Sequence, residues 1–362
     1  MLDVRLVPRG DGRASTRHVL DPWPASPASG APGRGVARSM NGILAIDKPF
    51  GWTSHDVVAK VRVLARQRRI GHAGTLDPMA TGVLLVCLGD ATRVSDALME
   101  GTKWYLARVA FGAATTTDDA LGTVTSLHPP GFALEQLVAI LEQFTGSIEQ
   151  RPPAFAAIKR DGVPAYKRAR LGQDVELASR HVKVHCMSLL DFSPLPEDPP
   201  REGMIDVAVA GQASGMAYAS LLISCGKGTY IRSIARDVGS ALGCGAHLCA
   251  LRRLASGSFT TRDTVSVQNL QTVAGSLGPA GIAPMLAPLD RALHGWPAFV
   301  ADAKQARSFV TGVRFSVSCD VAGSRARVYD RSGMLLGLAD LEHLQPGSVT
   351  AHPSRVFAGA AS

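Results

Sequence analysis

Apolar and polar positions divide the chain into an irregular first stretch and a longer region of regular elements. Residues 1–39 are rich in Pro, Gly, Ala, Ser and Arg and show no hydrophobic periodicity, which is typical of a disordered extension. A misplaced start codon is the alternative, because a regular pattern begins at Met40. In either case the ordered protein is expected to begin near Asn41.

Short apolar strands and amphipathic helices are interspersed from residue 42 onwards. The first helix is expected to start at the capping residues Thr53 to Asp56 and to carry Val57, Val61 and Ala65 on one face. The pattern further predicts helices at 134–144 and 229–242, a loop at 193–203, and strands at 42–47, 83–88, 103–111 and 218–225. Because these elements follow no regular βα alternation, they predict an α+β fold with a mixed sheet.

The pattern changes after about residue 290. A short helix is predicted at 303–310, and short strands are predicted around 313–317, 326–329 and 335–338. The length of 362 residues is compatible with two domains. We therefore expect a main domain at 40–292 and a small β-rich C-terminal domain at 296–362.

The composition is that of a globular protein with a basic balance. Hydrophobic residues make up 46% and charged residues 19%, and the net charge is +8 with a pI of about 9.4. Such a charge suits a polyanionic partner. Residues 1–40 hold six arginines and three aspartates, so the rest of the chain carries only +5 and charge alone does not establish nucleic-acid binding. No apolar run is long enough to cross a bilayer, and no signal peptide is recognisable.

The cysteines do not predict a disulfide scaffold. None of the six shows a short-range pairing pattern, so free thiols in the reducing cytoplasm are expected. Cys244, His247 and Cys249 are close in sequence, but they lack an evident fourth ligand and the usual Cys-x-x-Cys spacing of a zinc site. We expect neither a metal nor a cofactor, since no motif for nicotinamide, flavin or ATP is present.

The stretch at residues 71–93, GHAGTLDPMATGVLLVCLGDATR, is the strongest chemical signal in the chain. It places Asp77 in a turn bracketed by glycines and followed by an apolar strand. Gly71 and Gly74 can take positive φ or allow another backbone to come close, and Pro78 restricts Asp77 to extended φ/ψ. An isolated Asp-Pro pair is usually a simple turn, so the assignment depends on the whole string.

This string resembles the catalytic motif of the TruB family of tRNA pseudouridine synthases. Three more blocks are similar to family motifs and follow in the same order: residues 102–122, 150–170 and 225–257, the last containing Lys-Gly-Thr-Tyr-Ile-Arg and Leu-Arg-Arg. Together the blocks span roughly residues 41–263. The resemblance implies a pseudouridine synthase core and a C-terminal domain related to the PUA RNA-binding fold, although a purely structural cap is the alternative for that domain.

The resemblance also assigns the candidate site residues. It implies Asp77 as the catalytic carboxylate, Arg232 as the cation that keeps it ionised and oriented, and Tyr105 as the aromatic ring that stacks on the target base and assists proton removal at C5. The residues that match substrate-binding positions, or belong to the basic blocks of the motifs, are His72, Tyr230, Leu251, Lys103, Lys159, Tyr166 and Lys227. The simpler alternatives are a surface role for Arg232, a core role for Tyr105 and a structural hydrogen bond for His72.

Two basic regions are candidates for RNA contact. Residues 150–182 look like the mobile thumb that closes on an RNA stem-loop, although a basic run is often only solvated. Arg66, Arg68 and Arg69 end the first helix, where they either favour the helix dipole or meet phosphate groups. Ala156 and Gly226 depart from the family pattern, which has serine at both positions, and this puts local RNA contacts in doubt.

The resemblance implies that uridine 55 in the T-loop of tRNA is isomerised to pseudouridine. It further implies recognition of the T-arm stem-loop by a stand-alone monomer in the cytoplasm, with no guide RNA and no membrane partner. Related guide-dependent subunits share the aspartate motif, but this chain reads Asp-Pro-Met-Ala-Thr-Gly and has no lysine-rich tail. A tRNA-folding chaperone whose catalysis is secondary is the alternative function.

Overall fold

The computed structural model describes residues 40–155, 159–160, 163–164, 177–194, 215–317, 323–345 and 348–357. The predictions for residues 1–39, for Tyr166, and for most of the 150–182 insertion and the 193–203 loop lie outside these ranges. The described residues form a large mixed sheet with helices and a smaller C-terminal sheet. The predicted α+β class is therefore confirmed.

The helices of the described residues are α1 (Ser54–Ala65), α2 (Ser95–Glu100), α3 (Leu134–Gln143), α4 (Ile231–Ala241), α5 (Val267–Leu277) and α6 (Ala303–Val310). Short 3₁₀ turns lie at Gly89–Val94, Thr261–Asp263, Pro279–Met285 and Leu289–Leu293. The first nine strands are β1 (Gly42–Lys48), β2 (Ile70–Ala73), β3 (Thr81–Leu88), β4 (Lys103–Phe111), β5 (Ala113–Thr115), β6 (Val124–Leu127), β7 (Gly146–Gln150), β8 (Lys159–Arg160) and β9 (Val163–Pro164). The others are β10 (Arg180–Ser193), β11 (Ala217–Cys225), β12 (Ala246–Ser256), β13 (Phe259–Thr260), β14 (Val265–Ser266), β15 (Ala298–Val300), β16 (Phe315–Val317), β17 (Arg325–Tyr329), β18 (Leu335–Gln345) and β19 (Ser348–Val356).

The large sheet has the strand order β14-β1-β3-β12-β4-β11-β10-β7, with β2 paired to β3 and β13 paired to β12. The β1–β14 and β3–β12 pairs are parallel, and the other pairs are antiparallel. Strand β12 lies between β3 and β4, so it connects the strand after Asp77 to the strand that carries Tyr105.

The main core lies on one face of the large sheet, where apolar residues of the central strands pack with those of α1, α3, α4 and α5. Helix α1 begins as predicted. The Thr53 hydroxyl accepts a hydrogen bond from the Asp56 amide, and the Asp56 carboxylate accepts one from the Thr53 amide, which completes a capping box. Val57, Val61 and Ala65 are buried, which agrees with the predicted apolar face.

A second apolar cluster joins the large sheet to the C-terminal sheet. Residues of β1 and β3 contribute to it together with Leu98, Leu338 and Phe357. The C-terminal sheet has the order β15-β17-β18-β19-β16 and a small core of its own. Arg93, in the 3₁₀ turn after β3, also donates a hydrogen bond from Nη1 to the Val356 carbonyl oxygen of β19.

The predicted elements agree closely with the structure in several places. The strand at 103–111 and the helix at 303–310 have the predicted bounds, and β1, β3, β11 and α3 differ by one or two residues. Helix α4 starts at Ile231 rather than at residue 229, because Tyr230 has extended backbone and its amide bonds to the Gln150 side chain. Strands β10 and β12 and helix α5 were not predicted. The ends of the 150–182 insertion, Gln150 and residues 180–182, belong to the large sheet because β7 pairs with β10.

No helix among the described residues combines the length and the apolar character that a bilayer crossing requires.

Candidate active site

The loop that carries Asp77 connects β2 to β3. Gly74 has φ +83°, as the sequence predicts, whereas Gly71 lies in β2 opposite Cys87 and does not need positive φ. Ser54, at the first turn of α1, fixes the loop through two hydrogen bonds: its hydroxyl accepts from the Leu76 amide at 2.9 Å and donates to the Leu76 carbonyl oxygen at 3.2 Å. The carboxylate is thereby presented from a rigid turn.

Arg232, in the first turn of α4, faces this carboxylate. Its Nη2 donates to Asp77 Oδ1 at 3.0 Å, and its Nε lies 2.9 Å from Asp77 Oδ2. Two backbone groups are bonded to the same guanidinium: Nη1 donates to the Thr117 carbonyl oxygen at 2.9 Å, and Nη2 also donates to the Phe155 carbonyl oxygen at 3.1 Å. Its side chain is only 4% exposed, against 31% for Asp77. The structure therefore brings together the predicted carboxylate and cation and leaves the carboxylate accessible.

A second carboxylate lies on the other side of Arg232. Asp119 Oδ2 is 3.5 Å from Arg232 Nη1, and its Oδ1 accepts hydrogen bonds from the Thr117 hydroxyl and the Leu121 amide. Asp119 lies in the Thr-x-Thr-x-Asp block of the sequence, but it was not predicted as a site residue. Arg232 is thus shared between two acidic side chains, and only Asp77 lines the cleft described below.

Opposing effects act on the protonation of Asp77. Burial raises the pKa of Asp77 above its usual range, and the negative charge of Asp119 acts in the same direction. The positive charges of Arg232 and Lys48, and the hydrogen bond from Arg232, favour the ionised form. The net direction is upward, so the carboxylate is more basic than an ordinary aspartate.

Lys48 stabilises the loop that carries Asp77. Its side chain is fully buried, and its ammonium donates to the carbonyl oxygens of Pro49, Trp52 and Pro78. Burial lowers the pKa of Lys48 to about 8, although Asp77 opposes this change. Since Pro78 follows Asp77, the bond from Lys48 connects the end of β1 to the turn that carries Asp77.

Asp77 opens into a cleft of about 720 Å³. Tyr105 and Leu251 form part of its wall and are 9% and 5% exposed. They lie on the neighbouring strands β4 and β12, and the roles predicted for them stay predictions. Burial raises the pKa of Tyr105 above its usual range.

Tyr230 forms another part of the wall, directly before α4. Its backbone N–H donates to the Gln150 side-chain oxygen at 2.8 Å, and Gln150 Nε2 donates to the Tyr230 carbonyl oxygen at 3.0 Å. The Arg180 guanidinium lies 5.0 Å from the centre of the Tyr230 ring and donates to the Gly228 carbonyl oxygen. Arg180, which the sequence did not single out, therefore holds this aromatic ring at the cleft.

Two predicted lysines, Lys103 and Lys227, also line the cleft. Lys103 is buried, and its ammonium donates to the carbonyl oxygens of Met99 and Gly101 at the end of α2. Burial lowers the pKa of Lys103 to about 8. Lys227 is exposed and pairs with Glu100. Substrate binding by either lysine stays a prediction.

The remaining predicted residues are not brought to the cleft by the described structure. His72 lies in β2, with its ring against His55 at 6.2 Å between centres, and its Nδ1 is buried without a hydrogen-bond partner among the described residues. Burial lowers the pKa of His72. Lys159 lies in β8, where only the backbone is described, and Tyr166 lies outside the described residues.

Cys244, His247 and Cys249, which were weighed above as a zinc site, each contact a backbone carbonyl oxygen. His247 Nδ1 lies 2.9 Å from the Ala113 carbonyl oxygen, and the thiols of Cys249 and Cys244 donate to backbone carbonyl oxygens.

Arg69, one of the three arginines after α1, pairs with Asp90 at 3.0 Å. For that residue the structure adds a local ionic contact, and phosphate binding stays a prediction.

Comparison with known proteins gives this geometry a family. Residues 62–231 match the model of the TruB family pseudouridylate synthase N-terminal domain, and residues 232–294 match that of the tRNA pseudouridylate synthase B C-terminal domain. A tRNA pseudouridine synthase B from Cupriavidus metallidurans is 40% identical over 319 residues, which are 86% of this chain and 94% of that protein. The chain belongs to the TruB family. The tRNA pseudouridine synthase B of Stutzerimonas stutzeri is 37% identical over 84% of this chain and 93% of that protein.

Solved structures agree with the fold of this TruB chain. In the crystal structure of a Cbf5-Nop10-Gar1 complex, a chain with 23% identity superposes with a TM-score of 0.63 over 88% of this chain and 85% of that one. A chain in the archaeal box H/ACA sRNP Nop10-Cbf5 complex gives 0.62 with 22% identity, over 88% and 86% of the two chains. At these identities the likeness shows the fold.

Proposed function

We propose that this TruB enzyme, which isomerises uridine to pseudouridine in tRNA, acts on uridine 55 of the T-loop with Asp77 as its catalytic carboxylate. The observation that carries the proposal is the position of Asp77, held at both oxygens by Arg232 and open to a cleft lined by Tyr105. A carboxylate in this setting can act on a sugar, and an aromatic ring beside it can face a base.

The reaction breaks the N1–C1′ bond of the nucleotide and joins C5 of the same uracil to C1′. Asp77 either attacks C1′ or removes a proton from the sugar, and both routes need its ionised form. Arg232 supplies the positive charge that favours this form, and its planar group fixes the direction of the carboxylate. The isomerisation is redox-neutral, so it needs no electron-carrying cofactor.

The target base must leave its stack before it can reach Asp77. Unstacking costs a few kcal/mol, and contacts in the pocket must offset this cost. We assign this role to Tyr105, with Tyr230 and Leu251 completing the pocket. Tyr105 also assists removal of the C5 proton in this proposal.

Basic residues around the cleft are assigned to the RNA backbone. Lys227 and Lys103 line the cleft, and Lys159 and Tyr166 belong to the insertion that we propose closes on the T-arm stem-loop. His72 is assigned a substrate contact that holds the opened loop. The C-terminal domain at 296–362 adds RNA contacts in a PUA-like manner. The enzyme acts in the cytoplasm as a monomer and without a guide RNA in this proposal.

Tritium release tests the proposed target. The substrate is a T-arm stem-loop with [5-³H]uridine at position 55 only, and the control RNA carries the label at position 54 only. The full-length protein alone should release the label from position 55 and leave the control unchanged. No release from either RNA, together with tight binding of both, would instead favour the tRNA-folding chaperone.

A further inference from the structure

Arg253 is a buried cation that the roles assigned so far do not use. It lies in β12, is 1% exposed, and is among the largest fully buried side chains of the described residues. Burying a guanidinium is costly unless its N–H groups are bonded. The presence of an arginine at this position therefore needs a reason beyond packing.

The guanidinium of Arg253 binds the start of the loop that carries Asp77 and the strand β3 that follows this loop. Its Nη2 donates to the Gly74 carbonyl oxygen at 3.0 Å, and its Nε donates to the Val83 carbonyl oxygen at 2.6 Å. Gly74 precedes Asp77 by three residues, and Val83 follows it by six. One planar group with donors in fixed directions thus sets the distance between Gly74 and Val83.

The backbone around Arg253 is equally close to this loop. Gly82 pairs with Arg253 in register and has φ +95°, and a Cβ atom at Gly82 would lie 2.2 Å from the Arg253 carbonyl oxygen. Only glycine meets both conditions without strain. The glycine that ends the Asp-Pro-Met-Ala-Thr-Gly string is therefore explained by the approach of Arg253.

Arg253 also lies beside Tyr105 on the adjacent strand of the sheet. The two residues are direct cross-strand partners on β12 and β4, so their side chains leave the same face of the sheet side by side. The charge and hydrogen bonding of Arg253 oppose the rise that burial causes in the pKa of Tyr105. Both residues line the cleft. Arg253 is thus the link between the Asp77 loop and the strand that carries Tyr105.

We propose that Arg253 is a positioning residue, which fixes Asp77 relative to Tyr105 by holding Gly74 and Val83, one on each side of Asp77 in the chain, against β4. The inference rests on the proposed function, because it matters only if Asp77 and Tyr105 act on the same nucleotide. A displacement of about 1 Å of a reacting group can cost about 10²-fold in rate. The RNA contacts proposed for Lys227 and for the insertion do not depend on the bonds that Arg253 makes.

Steady-state kinetics on the labelled stem-loop test this role with Arg253→Lys, Arg253→Gln and the control Arg252→Gln. Arg252 is the preceding residue of β12, and its guanidinium pairs with Asp47 and donates to the Thr81 hydroxyl rather than to Gly74 or Val83. We expect kcat to fall about 10²-fold in Arg253→Lys and further in Arg253→Gln, with KM within threefold of wild type. The Arg252→Gln variant should keep kcat within threefold. Thermal melts establish that each variant is folded.

The outcomes separate this inference from the proposed function. No turnover by wild type would overturn the proposed function and the inference with it. Normal turnover by wild type, with Arg253 variants no worse than Arg252→Gln, would overturn the inference alone. A rise in KM without a fall in kcat would contradict positioning and indicate RNA binding. Failure of both Arg253 variants to fold would make the residue structural and would also overturn the inference.

Discussion

Replacing Arg232 by lysine keeps the positive charge at the site but removes the planar group that orients Asp77. In wild type the guanidinium meets both carboxylate oxygens and donates to the carbonyl oxygens of Thr117 and Phe155. A lysine ammonium places its donors at one point, so it cannot satisfy all of these groups. Each buried carbonyl oxygen left without a donor costs about 1–3 kcal/mol. We therefore expect Arg232→Lys to lower the free energy of unfolding by roughly 2–6 kcal/mol, since two carbonyl oxygens lose their donor.

The effect on catalysis should be larger than the effect on binding. A carboxylate that is no longer held at both oxygens loses its direction toward C1′, and such misplacement costs on the order of 10²-fold in kcat. Tritium release from the T-arm stem-loop gives kcat and KM, and thermal melting gives stability. Arg236→Lys is the matched control, because Arg236 lies one turn further along α4, is 28% exposed and pairs with Asp118 and Asp237. An Arg232→Lys variant within fivefold of wild type in kcat would refute the orienting role.

Three further predictions follow from the same geometry. Burial raises the pKa of Asp77 above its ordinary 3.8, and the reaction needs the ionised form. The pH profile of kcat should therefore fall on the acidic side with a midpoint above 3.8. A midpoint at or below 3.8 would contradict this. Gly82→Ala should destabilise the protein by about 2–6 kcal/mol through steric overlap and backbone strain. Gly243→Ala, at φ +74° with open space around the Cβ position, should cost only the strain; equal melting temperatures for the two variants would contradict the packing argument. Phe357→Ala should cost about 3–5 kcal/mol because Phe357 is buried in the cluster between the two sheets, while kcat stays within twofold; a melting curve like that of wild type would show that this contact is unimportant.

Local signals in the sequence predicted the elements that depend on neighbouring residues. The capping box of α1 joins Thr53 to Asp56 over three positions, and the turn at Asp77 is set by Gly74 and Pro78. These features depend on backbone preference and short hydrogen bonds, which a sequence shows directly.

Contacts between distant residues could be reached only through the family resemblance or not at all. Arg232 and Asp77 are 155 positions apart, and the resemblance alone paired them. Arg253 was overlooked because β12 lacks a clean alternation of polar and apolar positions, so no strand was predicted there. An arginine within an otherwise apolar stretch was the available signal. Whether it is buried or exposed depends on the pairing of β12 with β3 and β4, which no local pattern determines.

The sequence does not show where the charge of a predicted binding residue is directed. Lys103 was predicted to bind substrate, but its ammonium is already bonded to two carbonyl oxygens at the end of α2. A lysine in a sequence block does not reveal whether its charge is directed to solvent, to RNA or to the end of a helix. The same ambiguity applies to Arg69, whose charge meets Asp90.

Comparison of wild type with Asp77→Asn tests the central claim most directly. Asparagine keeps the shape of the side chain but removes the charge and the nucleophilic oxygen, so product formation should fall by on the order of 10⁴-fold. Binding of the T-arm stem-loop should persist, because affinity depends mainly on phosphate contacts and base stacking. Tritium release measures turnover and filter binding with the same RNA measures affinity, with a thermal melt to show that the variant is folded. Loss of turnover with retained binding is the result expected if Asp77 is the catalytic carboxylate. Substantial turnover by a folded Asp77→Asn protein would contradict it.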